Sequence, residues 1–178
     1  MTPRTPTIPV RLEEYNNLYP SSFLSMVFKP QAVITSILHP LGFRRDGNYW
    51  LKETDTHFYY LVLYASSQGG SDKYIDIRAF FKELAKPGET FKKRRHVSYR
   101  LQETGPLDGA LNYNHEFKDL TDEERTARLT KGIIEHGLPV LKSFETVEGL
   151  KKLWLENHST LMNPELRTMI GLPYSRPK

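Results

Sequence analysis

Between Pro30 and Gly42 the apolar residues Val33, Ile34, Ile37, Leu38 and Leu41 fall at i, i+1, i+4, i+5 and i+8. That spacing lays one apolar stripe along a helix. Pro30 suits its first turn, and Pro40 with Gly42 closes it. The period then changes to two. Phe43–Trp50 holds Asp46-Gly47 between extended runs, a turn chemistry that favours hairpins because Gly, and less readily Asp, tolerates positive φ. His57–Tyr64 is aromatic and β-branched on both faces, as a central strand covered on both sides would be. In Tyr74–Phe81 the residues Ile75, Ile77, Ala79 and Phe81 alternate with Tyr74, Asp76, Arg78 and Phe80, which predicts one dry and one wetter face. His96–Gln102 predicts a further strand with Val97, Tyr99 and Leu101 inward.

Helical spacing returns after residue 120. Thr121-Asp-Glu-Glu124 has the capping-box pattern, and the helix it opens is expected to reach about His136, where Gly137 and Pro139 break it. Leu129, Ile133 and Ile134 are its buried positions. Val140, Leu141 and Phe144 predict a second short helical segment. Thr146 caps a third, with Val147, Leu150, Leu153 and Trp154 inside, and Asn163-Pro164 opens a last one that Gly171 stops. The order predicts an α+β class: a four-stranded antiparallel meander, helices on one of its faces, an N-terminal helix before the sheet and a helical C-terminal half. Residues 1–27 read as a lead-in with a short helix at Arg11–Leu18, residues 28–172 as one domain, and 173–178 as a frayed tail.

Composition narrows the chemistry. The 178 residues lack cysteine, which excludes disulfides, thiolate metal sites and a cysteine nucleophile. Mean hydropathy is −0.54 and the apolar stretches at Phe23–Phe28 and Phe58–Ala65 are far short of a membrane span, so a soluble cytoplasmic protein is expected. The N-terminus has three prolines and no apolar h-region, unlike a signal peptide. Lys plus Arg is 25 and Asp plus Glu 21, a formal +4 that equals the charge of Lys92-Lys93-Arg94-Arg95 alone. The basic pI near 9.2 is therefore a local property.

That run, with Phe91, His96, Tyr99 and Arg100 around it, is the sharpest candidate for binding phosphates or an acidic protein face. As a solvated loop it would only discourage edge-to-edge pairing. Arg44 and Arg45 would extend the patch, Arg45 together with Tyr49, if the first hairpin lies beside it. Tyr74, Asp76 and Arg78 would line an exposed sheet face, with Asp76 in a cross-strand ion pair. Trp50 reads as packing. Among six histidines only His57 with Asp55, and His115 with Glu116, have close acidic neighbours, and no metal-ligand spacing occurs. Gly69-Gly70 lacks the context of a phosphate loop, and no Gly-x-Ser-x-Gly elbow is present. No cofactor, metal or catalytic residue is implied.

The stretch Leu38-His-Pro-Leu-Gly-Phe-Arg-Arg-Asp-Gly-Asn-Tyr-Trp50 resembles a bacterial domain-of-unknown-function family, number 4304. That family combines a helix, a Pro-Leu-Gly-Phe segment, basic residues, a Gly turn, an aromatic strand and a meander. Gly132–Leu153, with its Gly137-Leu138-Pro139 break, resembles the family's helical C-terminal part, so the likeness spans residues 28–155. The chain departs from it after the second strand, where Tyr64-Ala65-Ser66-Ser67 stands in place of a more polar end. The resemblance implies a fold and no catalytic residues. It also implies, by analogy, the immunity proteins that accompany secreted toxins. The leading expectation is a non-catalytic protein that neutralises a cognate toxin by covering it. The alternatives are a nucleic-acid-binding module using Lys92–Arg95, Arg44 and Arg45, and an uncharacterised hydrolase.

Overall fold

A computed structural model describes residues 27–65, 72–101, 107, 109–113, 117–158 and 160–175. The expected lead-in up to residue 26 with its helix at Arg11–Leu18, the Gly69-Gly70 turn, the His115-Glu116 pair and the last three residues lie outside them.

Helix α1 (Pro30–Leu38) has Pro30 in its first turn and buries Ile34, Ile37 and Leu38. A 3-10 turn at His39–Leu41 follows, closed by Gly42 at φ 84°. There the Phe43 amide returns to the Leu38 carbonyl, a C-terminal cap that only a left-handed residue permits. Strands β1 (Arg44–Asp46) and β2 (Tyr49–Glu53) form a hairpin in which Asp46 faces Tyr49. The turn residues are therefore Gly47-Asn48, one step later than expected, and Gly47 alone takes a positive φ, 64°. Asp46 remains in the strand.

Strands β3 (His57–Ala65), β4 (Lys73–Phe81), β5 (Val97–Arg100) and β6 (Thr160–Met162) complete a six-stranded antiparallel sheet in chain order, β1-β2-β3-β4-β5-β6. The expected four strands become six for two reasons. The hairpin supplies two full strands, and β6 adds an edge from the half of the chain expected to be helical. Its three residues, Thr160-Leu161-Met162, are too few to show a period, and β5 specifies them by pairing Val97 with Met162 and Tyr99 with Thr160.

The capping box at Thr121 is fully formed. Its hydroxyl accepts from the Glu124 amide, and the Glu124 carboxylate accepts from the Thr121 amide at 2.8 Å. Helix α2 (Asp122–Gly132) does not break at Gly137 and Pro139. It passes through one π turn (Ile133–Gly137) into α3 (Leu138–Ser143). Proline lacks an amide and crowds the carbonyl four residues back, and the wider turn absorbs both defects. Gly137 has φ −68° and makes no turn: a Cβ there would meet Leu101 at 3.5 Å and Ile77 at 3.8 Å, ordinary van der Waals contacts. Helix α4 (Val147–Glu156) is capped by Thr146 and α5 (Pro164–Met169) by Asn163. Leu150 and Trp154 of α4 are buried, but Val147, expected inside, is exposed at the first turn.

The described α-helices pack on one face of the sheet, against Trp50, Tyr59, Leu61, Leu63, Ile75, Ile77 and Tyr99. The other face carries a smaller cluster of Leu51, Tyr60, Val62 and Phe80, covered by the segment 82–96 through Phe91 and Ala85. Both faces of β3 are thus buried, which accounts for its unbroken apolar run.

Candidate binding surface

The segment 82–96 is built, not loose. It starts with a 3-10 turn at Lys82–Leu84 and bends at Gly88, φ 80°. The Glu89 carboxylate then ties its two limbs together, accepting from the Lys86 amide at 2.9 Å and from Arg94 Nη1 at 2.7 Å. The Lys86 amide first, and Arg94 after it, hold that carboxyl below the usual carboxylate range. Phe91 anchors the tip. Its ring lies 5.4 Å from Tyr60, 5.6 Å from Phe58 and 5.8 Å from Tyr49, and its carbonyl accepts from the Tyr60 hydroxyl at 2.8 Å.

This frame divides the four consecutive cations. Lys92 pairs with Asp46 at 2.6 Å, so the hairpin does lie beside the basic run. Arg94 pairs with Glu89 at 2.7 Å and reaches Glu165 of α5 at 3.6 Å. Lys93 and Arg95 are exposed, and among the described residues no carboxylate within 4.0 Å pairs with either. The local +4 is therefore a surplus of two.

Alternation within β1 separates the two hairpin arginines. Arg44 faces the same side as segment 82–96 and lies 3.8 Å from Glu53, which in turn pairs with Lys82 at 2.8 Å. Arg45 lies on the helix side, 5.5 Å over the Trp50 ring, with its Nε donating to the Gly47 carbonyl. The expected extension of the patch therefore fails at Arg45 but not at Tyr49, whose ring lies 5.7 Å from Lys92 Nζ, and Arg44 is the arginine on that side. Tyr99 likewise belongs to the helix-side core and does not flank the run. Trp50 is fully buried, and its indole N–H donates to the Thr35 hydroxyl at 2.9 Å.

Beyond Phe91 the same sheet face carries a cluster that the sequence indicated only in part. Asp76 was expected on a wet face, yet its side chain is 4% exposed. Register places Asp76 opposite Arg100 and Tyr64 opposite Tyr74. Arg78 donates to Asp76 Oδ2 from Nε at 3.2 Å and from Nη2 at 2.6 Å. Arg100 Nε donates to Oδ1 at 3.2 Å, as does the Tyr64 hydroxyl at 3.1 Å. Arg100 Nη2 donates to Tyr64 Oη at 2.6 Å. The guanidinium carbons stand 5.5 Å (Arg78) and 6.0 Å (Arg100) from the Tyr64 ring centroid, and Arg100 also lies 5.2 Å over Tyr74. Burial first, and then the charge of Asp76, raise the Tyr64 pKa. The missing information was the β3–β4 register, since residues 66–72 between those strands are too long a connection for Gly69-Gly70 alone to fix it.

The two inner histidines are structural. His57 stacks on Phe81 at 4.7 Å with Nε2 2.6 Å from the Phe144 carbonyl, so its ring proton lies on Nε2. His96 accepts from the Phe81 amide through Nδ1 at 2.8 Å and stacks on Phe80 at 5.0 Å. Burial lowers the pKa of both. Among the described residues no group of three or more His, Asp or Glu could hold a metal ion, and no helix is long and apolar enough to cross a membrane. No protein-family model, curated protein or solved structure matches the chain.

Proposed function

We propose that the chain is a non-catalytic, cytoplasmic binding protein of the immunity type. It neutralises a cognate toxin by seating an acidic face of it against Lys93 and Arg95. The observation that carries the reading is the division of the basic run. Lys92, Arg94 and Phe91 fix the backbone of the segment, while Lys93 and Arg95 face solvent without a counter-charge among the described residues. Cations on a pre-ordered support lose little freedom on binding and speed encounter with an opposite charge. The sequence likeness at Leu38–Trp50 agrees with this reading.

The test is co-expression with the product of the gene immediately upstream, followed by calorimetry on the purified pair. A stable complex that Lys93→Glu/Arg95→Glu weakens at least tenfold is expected. Recovery of no protein partner, or an affinity indifferent to the double charge reversal, overturns the reading. In the same preparation a single-stranded oligonucleotide binding with a steep salt slope would favour a nucleic-acid partner for the same two cations.

A further inference from the structure

We propose that His96 is an acid-released latch: a second proton on its ring opens segment 82–96, the support of Lys93 and Arg95. The loss of that support bears on binding through the function proposed above, whereas the opening itself belongs to the chain alone. The ring closes the segment where it re-enters the sheet. Its Nδ1 accepts the Phe81 amide at 2.8 Å, so the neutral ring carries its proton on Nε2. The residue is 1% exposed, with the ring stacked on Phe80 at 5.0 Å. The His96 amide donates to the Ala79 carbonyl, and the His96 carbonyl accepts the Asn163 amide, each at 2.9 Å.

A second proton is incompatible with that seat. Both nitrogens of an imidazolium are donors, so neither orientation of the ring offers the Phe81 amide an acceptor. Nε2 is buried with no hydrogen-bond partner among the described residues, which leaves the added charge without local compensation. His57 differs. Its Nδ1 faces the Thr54 and Thr56 hydroxyls at 3.0 and 2.9 Å, groups that accept as well as donate, and its Nε2 already donates to Phe144. A charged His57 keeps its bonds, and only His96 has to move.

The charges around the ring couple its release to the rest of the segment. Asn163, bonded to the His96 carbonyl, opens α5, whose first turn carries Glu165. Arg94, two residues before His96, reaches Glu165 at 3.6 Å and Glu89 at 2.7 Å. Glu89 and Glu165 favour the charged ring and Arg94 opposes it, while β4 packs Phe80 and Phe81 against it. A released imidazolium competes with Arg94 for Glu89, the carboxylate that ties the two limbs of the segment together. Burial first, and Arg94 after it, hold the closed ring below 6.5, and an opened ring regains that ordinary value. The open form is therefore favoured as pH falls below 6.5, by up to about tenfold per pH unit until the lowered value is reached.

The experiment is amide hydrogen exchange by NMR on the purified chain from pH 7.5 to 5, with each rate divided by its intrinsic rate at that pH. Protection of the Phe81 and His96 amides should be level above pH 6.5 and fall about tenfold per pH unit below it. At every pH it should stay at least tenfold under that of Leu61 and Ile77, the mark of a local opening. In His96→Gln the side-chain carbonyl accepts the Phe81 amide at any pH, so the decline should vanish. The wild-type chain alone also decides: the His96 ring resonances should titrate together with the Phe81 amide shift. The latch is overturned by protection that stays level to pH 5, or by segment amides as protected as Leu61 and Ile77, which would make the release global unfolding. It is equally overturned by an unchanged decline in His96→Gln, or by a ring that charges while the Phe81 amide stays protected. Exchange is read without a partner, so the latch stands or falls apart from whether a toxin is recovered.

Discussion

Arg125 is the least expected side chain in the protein. It is 2% exposed, yet carries a full charge. Nη1 donates to the carbonyls of Gly109 and Asn112, each at 2.8 Å, Nη2 donates to Phe117 at 2.6 Å, and the Tyr113 ring covers the guanidinium at 4.1 Å. One residue of α2 thus holds the irregular chain before it, and a lysine, a single point of donors, has no such span. Arg125→Ala and Arg125→Lys should each lower stability by about 3 kcal/mol or more, read as a shift of the urea midpoint. A loss under about 1 kcal/mol for the lysine variant would show that the fork is dispensable. Periodicity places Arg125 on the face of Leu129 and Ile133, one and two turns later, but residue type argues for solvent, since an arginine is rarely enclosed. The pattern was the better guide. Carbonyl acceptors have no residue letter, so the partners that make the burial tolerable could not be read from the chain.

At the level of elements, segment 82–96 begins at the end of β4 and closes on His96, whose neutral ring accepts the Phe81 amide. Arg94, Glu89 and Glu165 face that imidazole, and burial followed by Arg94 lowers its pKa from 6.5. His57 is lowered in the same direction. A histidine kept neutral in the fold takes up its proton first in the unfolded chain. The stability it contributes is complete above pH 6.5 and drains away as pH falls below that value toward the folded pKa. The urea midpoint should therefore drop from pH 7.5 to 5, and His96→Gln should flatten that decline while lowering the plateau. An unchanged slope in the variant would assign the pH dependence elsewhere. The long elements were legible because each has its own period or cap: the α1 stripe, the Thr121 box, the Asn163-Pro164 start. Segment 82–96 was legible only as a basic run. Its structure depends on Phe91 finding Tyr49, Phe58 and Tyr60, three residues of two other strands. The π turn hid similarly, because Gly137 and Pro139 signal a break in isolation and a detour when the sheet lies against them.

The whole molecule has two unequal cores. The helix side binds nearly every element, whereas the far side depends on a few aromatics under one segment. Phe91→Ala should therefore open that segment without unfolding the sheet. Hydrogen exchange should quicken at least tenfold at the Lys93 and Arg94 amides, both bonded to the Thr90 carbonyl, and stay unchanged at Leu61 and Ile77. Uniform acceleration would instead make the protein a single cooperative unit. The antiparallel α+β class followed from the order of periods along the chain, but which cations act did not, because counter-charges at Asp46, Glu89 and Asp76 are set by the tertiary arrangement.

The strict chain order of the sheet has a consequence in time. Each of β2 to β5 pairs with the strand made just before it, so a ribosome delivers every one beside a finished neighbour, and the sheet can grow as fast as it is synthesised. Only β6 waits: it reaches β5 after α2, α3 and α4 have emerged. A stalled chain ending near residue 150 would therefore carry an open β5 edge, the kind of unpaired strand that invites association with other chains.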